Sequence, residues 1–171
     1  RLFHVKQRLT DKGIALLVAD AAQAATVGVI TRPAAALAAA LWPGGLTLVL
    51  RVRRGANLPP VLTGGTSTVG VRVPDHPTPR ALAAAVGPLP TTSANLSGRP
   101  DAIDAAAVME ELGDGVDLVL DGGRTRGSRA STVVDLTTDP PSILRAGVID
   151  ETRIRVVLAD DAMSRRDRKA P

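Results

Sequence analysis

Apolar runs of strand length alternate along the chain with alanine-rich stretches of helical length. The strand predictions rest on short runs rich in Val, Leu and Ile. Several of these runs alternate poorly between apolar and polar residues, which is typical of strands that are covered on both faces. Six runs are predicted as strands, at residues 14–19, 46–52, 68–73, 117–120, 131–136 and 142–144.

The stretches between these strands carry the start and stop signals of helices. A capping Thr or Asp, or an early proline, stands at each start, and glycine directly follows the end of two of them. Helices are predicted at residues 33–41, 78–86, 101–112 and 150–158. Strands that alternate with helices predict an α/β (α+β-like) fold.

The size and composition of the chain fit one globular domain. It has 171 residues, of which 44% are hydrophobic and 22% are charged. A chain of this length buries roughly two-thirds of its unfolded surface, so it needs neither a disulfide nor a metal to fold. We predict one domain over residues 1–160 and a basic, disordered tail over residues 161–171. No apolar run approaches the roughly 20 residues of a membrane span, and a cytoplasmic location is the simplest expectation.

Most of the net positive charge belongs to the tail. Four Arg and Lys residues against Asp167 give residues 162–171 a net charge of +3, out of +4 for the whole chain. Phe3 and Trp42 are the only large aromatic rings. The chain therefore cannot build the platform of stacked rings with which single-strand binders hold bases. A basic groove that contacts only the backbone of a nucleic acid stays open as an interpretation.

Several kinds of active site are excluded by residues that the sequence lacks. There is no Cys, which excludes thiol nucleophiles, disulfides and cysteine–zinc sites. His4 and His76 are the only histidines, and neither of the common glycine-rich phosphate loops occurs. His76 lies in a predicted turn, where a surface role is expected over a catalytic one.

Cations and hydroxyls at the ends of predicted elements are the remaining candidates. Lys6 and Arg8 would share one face of an extended segment and could hold neighbouring phosphate oxygens. From these residues alone, a solvated charge pair is the better interpretation. The segment TTSAN at residues 91–95 combines hydroxyls with an amide, which suits a nucleotide phosphate but also ordinary turn and capping roles.

Two further positions carry a specific expectation. Ser131 opens a predicted strand after a glycine- and arginine-rich loop, which places a hydroxyl at a strand end. Arg72 lies between Val71 and Val73 in another predicted strand. An arginine in such apolar surroundings needs a partner. A substrate carboxylate would serve, and an internal Asp or Glu would serve equally well.

Taken in order, these segments resemble the successive motifs of the YrdC-like domain of the threonylcarbamoyl-AMP synthase family. The resemblance extends from about Phe3 to Leu158, and SAN-x-SG and STVVD are its most specific parts. The matching blocks are Lys-x-Arg, WPGGLTLVL, TVGVRVPDHP, TTSANLSG, DLVLDGG, STVVDLT and LRAGVI. The resemblance implies a twisted, mixed β-sheet flanked by helices, with a positively charged cavity that holds both substrates.

The same resemblance implies an activity and its participants. Members of the family convert L-threonine, bicarbonate and ATP, which carries Mg²⁺, into threonylcarbamoyl-AMP and pyrophosphate for the t6A modification of tRNA. A carbamate formed on threonine attacks the α-phosphate, so no side-chain nucleophile and no protein metal ligand is implied. Catalysis would consist of positioning and charge neutralisation, with Lys6 and Arg8 as positioning cations.

Residue roles follow from the resemblance by position. Thr91 would lie between the two ligands. The residues implied to bind ATP are Lys6, Arg8, Lys12, Ser93, Asn95, Asp101 and Arg145. The residues implied to bind threonine are Thr68, Arg72, Thr91 and Ser131.

Two features depart from the family pattern. Nothing matches the family's N-terminal strand and its threonine-rich block, so we expect an N-terminally truncated sequence. Such a chain would lack one wall of the threonine pocket and one strand of the sheet, leaving a strand edge exposed. Whether the fragment is active on its own therefore stays open. Leu9 and Gly13 stand where the family often has proline, which weakens the assignment of Lys12.

Two alternatives accompany this interpretation. The first is a non-catalytic module that binds nucleotide or double-stranded RNA; under either interpretation, RNA or tRNA-modification proteins are further expected partners. The basic tail favours it. The second is the carbamoyl-transfer domain of hydrogenase maturation proteins. It is disfavoured because those domains accompany zinc-finger cysteines and this sequence has none.

Overall fold

The computed structural model describes residues 1–7, 13–125 and 129–167 of the chain, with side chains as far as residue 163. Contacts divide the chain into two compact units. Arg1–Lys12 with Thr92–Arg129 form what we call the small unit, and Gly13–Thr91 with Ala130–Pro171 form the sheet unit. The predicted site residues Arg8 and Lys12 lie outside the described residues.

All strands found in the described part of the chain belong to the sheet unit and form one sheet. They are β1 (Ala15–Leu17), β2 (Leu46–Arg51), β3 (Thr68–Arg72), β4 (Leu89–Thr91), β5 (Thr132–Asp135) and β6 (Ser142–Arg145). Their order is β4-β1-β3-β2-β5-β6. β1 runs parallel to β3 and β2 runs parallel to β5, whereas the other three pairs are antiparallel. A mixed sheet with helices confirms the predicted fold class.

The α-helices of the described ranges begin at the kinds of residue expected from capping chemistry. Asp20, Thr31 and Asp104 each accept a hydrogen bond from the backbone N–H three residues further on, which satisfies a donor that the first turn leaves unpaired. The helices are α1 (Leu2–Val5), α2 (Ala21–Val27), α3 (Arg32–Leu41), α4 (Pro60–Thr63), α5 (Pro77–Val86), α6 (Ala105–Leu112) and α7 (Glu151–Asp167).

Strand alternation gives the sheet two chemically different faces. Leu16, Leu48 and Val71 lie on one face, because β1 and β2 pair with β3 at these positions. They are at most 1% exposed and pack with apolar residues of α2, α3 and α7 in one core cluster. Burial of these side chains is the main source of stability for the unit. We call this the core face and the opposite one the second face.

In residues 1–7, 92–125 and 129, the small unit combines two helices, a 3₁₀ turn at Gly113–Gly115 and connecting segments. Glu111 of α6 accepts a hydrogen bond from the backbone N–H of Leu96 at 2.9 Å, which ties the segment after residue 91 to the helix. Arg1 and Asp117 form an ion pair at 2.7 Å. Both of these side chains are mostly exposed, so the pair contributes little stability.

The structure corrects two strand predictions. Residues 117–120 were predicted as a strand from their apolar character, but they form no strand, and Leu118 is 74% exposed. Strand formation requires a pairing partner, and composition alone does not supply one. Residues 89–91 were not predicted, yet they pair with β1 as the short edge strand β4.

Helix boundaries also differ from prediction. α6 begins at Ala105 rather than at residue 101, because Asp104 is the residue that caps it. α7 was predicted to end at residue 158, but it continues to Asp167. Residues 161–167, assigned from the sequence to a disordered tail, are therefore helical. The helices α1, α2 and α4 were not predicted. Within the described ranges, no helix combines the length and apolar character that crossing a bilayer requires.

Candidate functional site

The register of the sheet places the predicted threonine-binding residues of β3 and β4 on the second face. Arg72 pairs with Leu17, and cross-strand partners project to the same side of a sheet. Thr91 pairs with Ala15, which lies two residues before Leu17 and therefore shares its face. Thr68 shares the face of Arg72 by the same two-residue period.

The other half of the sheet continues this face. Val49 pairs with Gly70 of β3, and Thr47 lies two residues before Val49. Thr47 pairs with Val133, which in turn pairs with Arg145 of β6. Ser131 lies two residues before Val133. The second face therefore carries five of the predicted site residues: Thr68, Arg72, Thr91, Ser131 and Arg145.

Ser131 and Arg145 contact each other directly. The Arg145 Nη2 donates to Ser131 Oγ at 2.8 Å, and its Nε donates to the Ser131 carbonyl at 3.0 Å. Gly147 makes this arrangement possible, because a Cβ there would overlap the backbone of Ala130 and Ser131. The sequence assigned Arg145 to ATP and Ser131 to threonine, whereas the structure joins the two in one cluster.

Arg72 is half-buried and is held by a backbone oxygen. Its Nε donates to the Gly44 carbonyl at 2.8 Å, and the Gly44 N–H donates to the Val73 carbonyl at 2.9 Å. The loop between α3 and β2 therefore anchors Arg72. Burial lowers the pKa of Arg72, and the positive charge of nearby Arg145 lowers it further. Both causes disfavour the charged form, whereas a nearby anion favours it.

Among the described residues, no Asp or Glu forms an ion pair with Arg72. The ion pairs found there join Arg1 to Asp117, Arg32 to Asp161, and Arg155 to Glu151. None of them involves Arg72 or Arg145.

Thr68 and Thr91 lie at the margins of this face. The Thr68 hydroxyl is 2.9 Å from the Thr66 hydroxyl. The Thr91 hydroxyl donates to the Leu89 carbonyl at 2.9 Å. Both side chains are partly exposed. Their hydroxyl oxygens keep acceptor capacity for a ligand.

The predicted ATP-binding residues of the small unit form a second cluster. Lys6 is 4% exposed, and its ammonium group donates to the Ser93 carbonyl at 2.5 Å, to the Asn95 carbonyl, and to Asn95 Oδ1 at 3.2 Å. Asn95 is also buried and donates to the Arg99 carbonyl at 2.6 Å. Lys6 thus binds the TTSAN loop itself. The Ser93 side chain is exposed.

The remaining candidate residues lie in a loop, at a helix cap and on the surface of a helix. Asp101 is exposed in the segment that precedes α6. His76 caps α5, with its Nδ1 accepting from the Thr78 N–H at 3.2 Å. The N-cap was predicted at Thr78, so the helix starts slightly earlier than expected. His4 is an exposed residue of α1.

One residue of the site was missed by the sequence analysis. Thr47 is 5% exposed, and its Oγ1 lies 2.8 Å from Ser131 Oγ. A single polar residue inside the apolar run LTLVL was the available signal, since a buried hydroxyl needs a partner.

Comparison with known proteins gives consistent results along most of the chain. The family model described as "Sua5_yciO_yrdC: Telomere recombination" matches residues 1–147. The threonylcarbamoyl-AMP synthase of Pyrococcus abyssi is 36% identical over 162 residues, which are 94% of this chain and 47% of that protein. The chain therefore spans about half the length of this curated relative.

Solved structures agree with this result. The crystal structure of P. abyssi Sua5 complexed with L-threonine matches with a TM-score of 0.87 at 37% identity, covering 92% of this chain and 46% of that one. The crystal structure of E. coli YciO matches with a TM-score of 0.77 at 30% identity, covering 86% and 72%. With the family model matching from residue 1 to residue 147, the chain belongs to the Sua5/YciO/YrdC family.

Proposed function

We propose that this chain carries the threonylcarbamoyl-AMP synthase activity, forming threonylcarbamoyl-AMP and pyrophosphate from L-threonine, bicarbonate and ATP. The observation that carries the proposal is the pair Arg72 and Arg145 on the second face, which has no carboxylate partner among the described residues. A related protein named as a synthase and a related structure complexed with L-threonine support it.

In this proposal, the second face binds the amino acid through its carboxylate. Arg72 uses only its Nε in the contacts of the described residues, so its terminal N–H groups can form the fork that carboxylates prefer. Ser131 adds a hydroxyl beside Arg145. Thr68 and Thr91, on the same face, supply further hydroxyls for the polar groups of threonine.

The reaction then needs no nucleophile from the protein. The threonine amine adds to the carbon of bicarbonate with loss of water, which gives a carbamate. A carbamate oxygen attacks the α-phosphorus of ATP, the bond to the bridging oxygen breaks, and pyrophosphate leaves. Mg²⁺ enters as part of the ATP substrate, and the protein contributes orientation and positive charge.

The small unit is proposed to contact ATP through the TTSAN loop. Lys6 holds this loop through its carbonyls, and the exposed Ser93 hydroxyl is a suitable donor to a phosphate. Asn95, Asp101, Arg8 and Lys12 remain proposed ATP contacts on the strength of the family resemblance. The proposal places the protein in the cytoplasm, where it would act with tRNA-modification proteins.

The test is pyrophosphate release by the full-length protein that contains these 171 residues. We expect release that requires ATP, L-threonine and bicarbonate together, and that falls by about a hundredfold in Ser131→Ala or Arg145→Ala, as for loss of a hydrogen bond to a charged ligand group. Ser142→Ala, an exposed serine of β6, is the matched control and should retain wild-type rates. Full activity in both site variants, or release that does not depend on threonine, would refute the proposal.

A further inference from the structure

Thr47 places a hydroxyl at a buried strand position where an apolar side chain is expected. It is the second residue of β2, between β3 and β5 in the sheet order, and it is 5% exposed. The neighbouring residues of the strand are leucines. Valine has the same shape, favours strands and brings no polar atom to bury. Packing alone therefore does not account for threonine at this position.

The single hydroxyl partner of Thr47 in the described residues is Ser131, 2.8 Å away. A hydroxyl has one proton to donate and two lone pairs that accept. One lone pair of Ser131 Oγ already accepts from Arg145 Nη2. The distance between the two hydroxyls allows either of them to be the donor.

The other hydrogen-bond partners of Thr47 and Ser131 indicate which of the two hydroxyls is the donor. If Ser131 donated to Thr47, the Thr47 proton would need another acceptor, and none is found among the described residues. If Thr47 donates, both lone pairs of Ser131 are occupied and the Ser131 proton is free for a third group. The oxygens of a carboxylate or carbamate group only accept hydrogen bonds, so only the second direction is compatible with such an oxygen at Ser131 Oγ.

We infer that Thr47 is a positioning residue for the threonine site, which donates to Ser131 and thereby directs the Ser131 hydroxyl proton at the bound acid group. This inference rests on the proposed function and adds a residue to it. Thr47 does not touch the substrate. It acts through Ser131, 84 residues away in the chain.

Two variants separate the hydroxyl of Thr47 from its shape. Thr47→Val keeps the shape and removes the donor, whereas Thr47→Ser keeps the donor and removes a methyl group. We expect the kcat/KM for threonine to fall by about tenfold in Thr47→Val, mainly through KM, and by less than about threefold in Thr47→Ser, as for loss of one neutral hydrogen bond. The KM for ATP and the Tm of Thr47→Val should remain close to wild type.

A double-mutant cycle tests whether Thr47 acts through Ser131. The variant that combines Thr47→Val with Ser131→Ala should be no worse than Ser131→Ala alone, because the proton that Thr47 directs is already absent. Losses that multiply, or a Thr47→Val enzyme with wild-type KM for threonine, would overturn the inference while the proposed function stands. A full-length wild-type protein that shows no threonine-dependent pyrophosphate release would instead refute both at the first step.

Discussion

Lys6 of the small unit and Arg72 of the sheet unit are both cations held by backbone carbonyls, but their remaining capacity differs. Lys6 is 4% exposed and gives its ammonium protons to three oxygen atoms of residues 93–95. Arg72 is half-buried, gives one proton to Gly44, and faces a second cation, Arg145. A lysine ammonium has three donors and a guanidinium has five.

This contrast distinguishes a cation that stabilises the fold from one that is available to a ligand. Because three oxygen atoms of the TTSAN loop accept hydrogen bonds from its ammonium group, Lys6 stabilises that loop. Burial, and next the positive charge of Arg145, lower the pKa of Arg72, and an anionic ligand would favour its charged form. The phosphate-binding role predicted for Lys6 is therefore the weaker of the two cation assignments.

The largest expected effect is on Arg72. We expect Arg72→Ala to reduce the kcat/KM for threonine by about a hundredfold, because a charge-assisted contact with the substrate carboxylate is lost. Arg72→Lys should recover part of this, since an ammonium keeps the charge but not the fork. Initial rates of pyrophosphate release at varied threonine concentration provide the measurement.

The Tm of Arg72→Ala distinguishes a lost substrate contact from unfolding of the variant. The Tm of Arg72→Ala should stay within about 4 °C of wild type, a change of roughly 1 kcal/mol for a chain of this size. The exposed Arg54 of the same unit provides the control, and Arg54→Ala should leave both quantities unchanged. An Arg72→Ala enzyme with normal threonine kinetics would show that Arg72 only anchors the loop at Gly44.

Part of the fold and of the site around these cations was predictable from the sequence. The runs at β2, β3 and β5 were predictable from apolar composition, and the need of Arg72 for a partner was predictable from its apolar neighbours. The contact between Thr47 and Ser131 joins residues 84 positions apart, and only the pairing of β2 with β5 brings them together. The edge strand β4 has three residues, one of them proline. It is too short to show a periodic pattern of apolar and polar positions. Residues 117–120 have a strand-like composition but no pairing partner, and α7 continues beyond its apolar section.

The second expected effect is on Lys6. We expect Lys6→Met to lower the free energy of unfolding by about 2 kcal/mol, because the carbonyl oxygens of Ser93 and Asn95 lose a buried, charged donor. For a chain of this size, that corresponds to a decrease in Tm of about 4–8 °C. Thermal unfolding followed by circular dichroism provides the measurement. If Tm is unchanged and the KM for ATP rises sharply, Lys6 contacts phosphate instead of the loop, and the distinction between the two cations fails.

The smallest effect is expected at the C-terminal end, where the sequence concentrates positive charge. Truncation after residue 163 removes Arg165, Arg166, Arg168 and Lys169 but keeps Asp161, which pairs with Arg32 at 2.7 Å. Because net charge alone does not select a substrate, threonine-dependent activity should stay within about twofold of wild type, as for a surface change. Any affinity for double-stranded RNA should fall on truncation and should weaken with salt in the intact chain, since it would arise from counterion release. A truncated chain that loses threonine-dependent activity but keeps its Tm would mean that these tail cations, and not only Arg72 and Arg145, belong to the site.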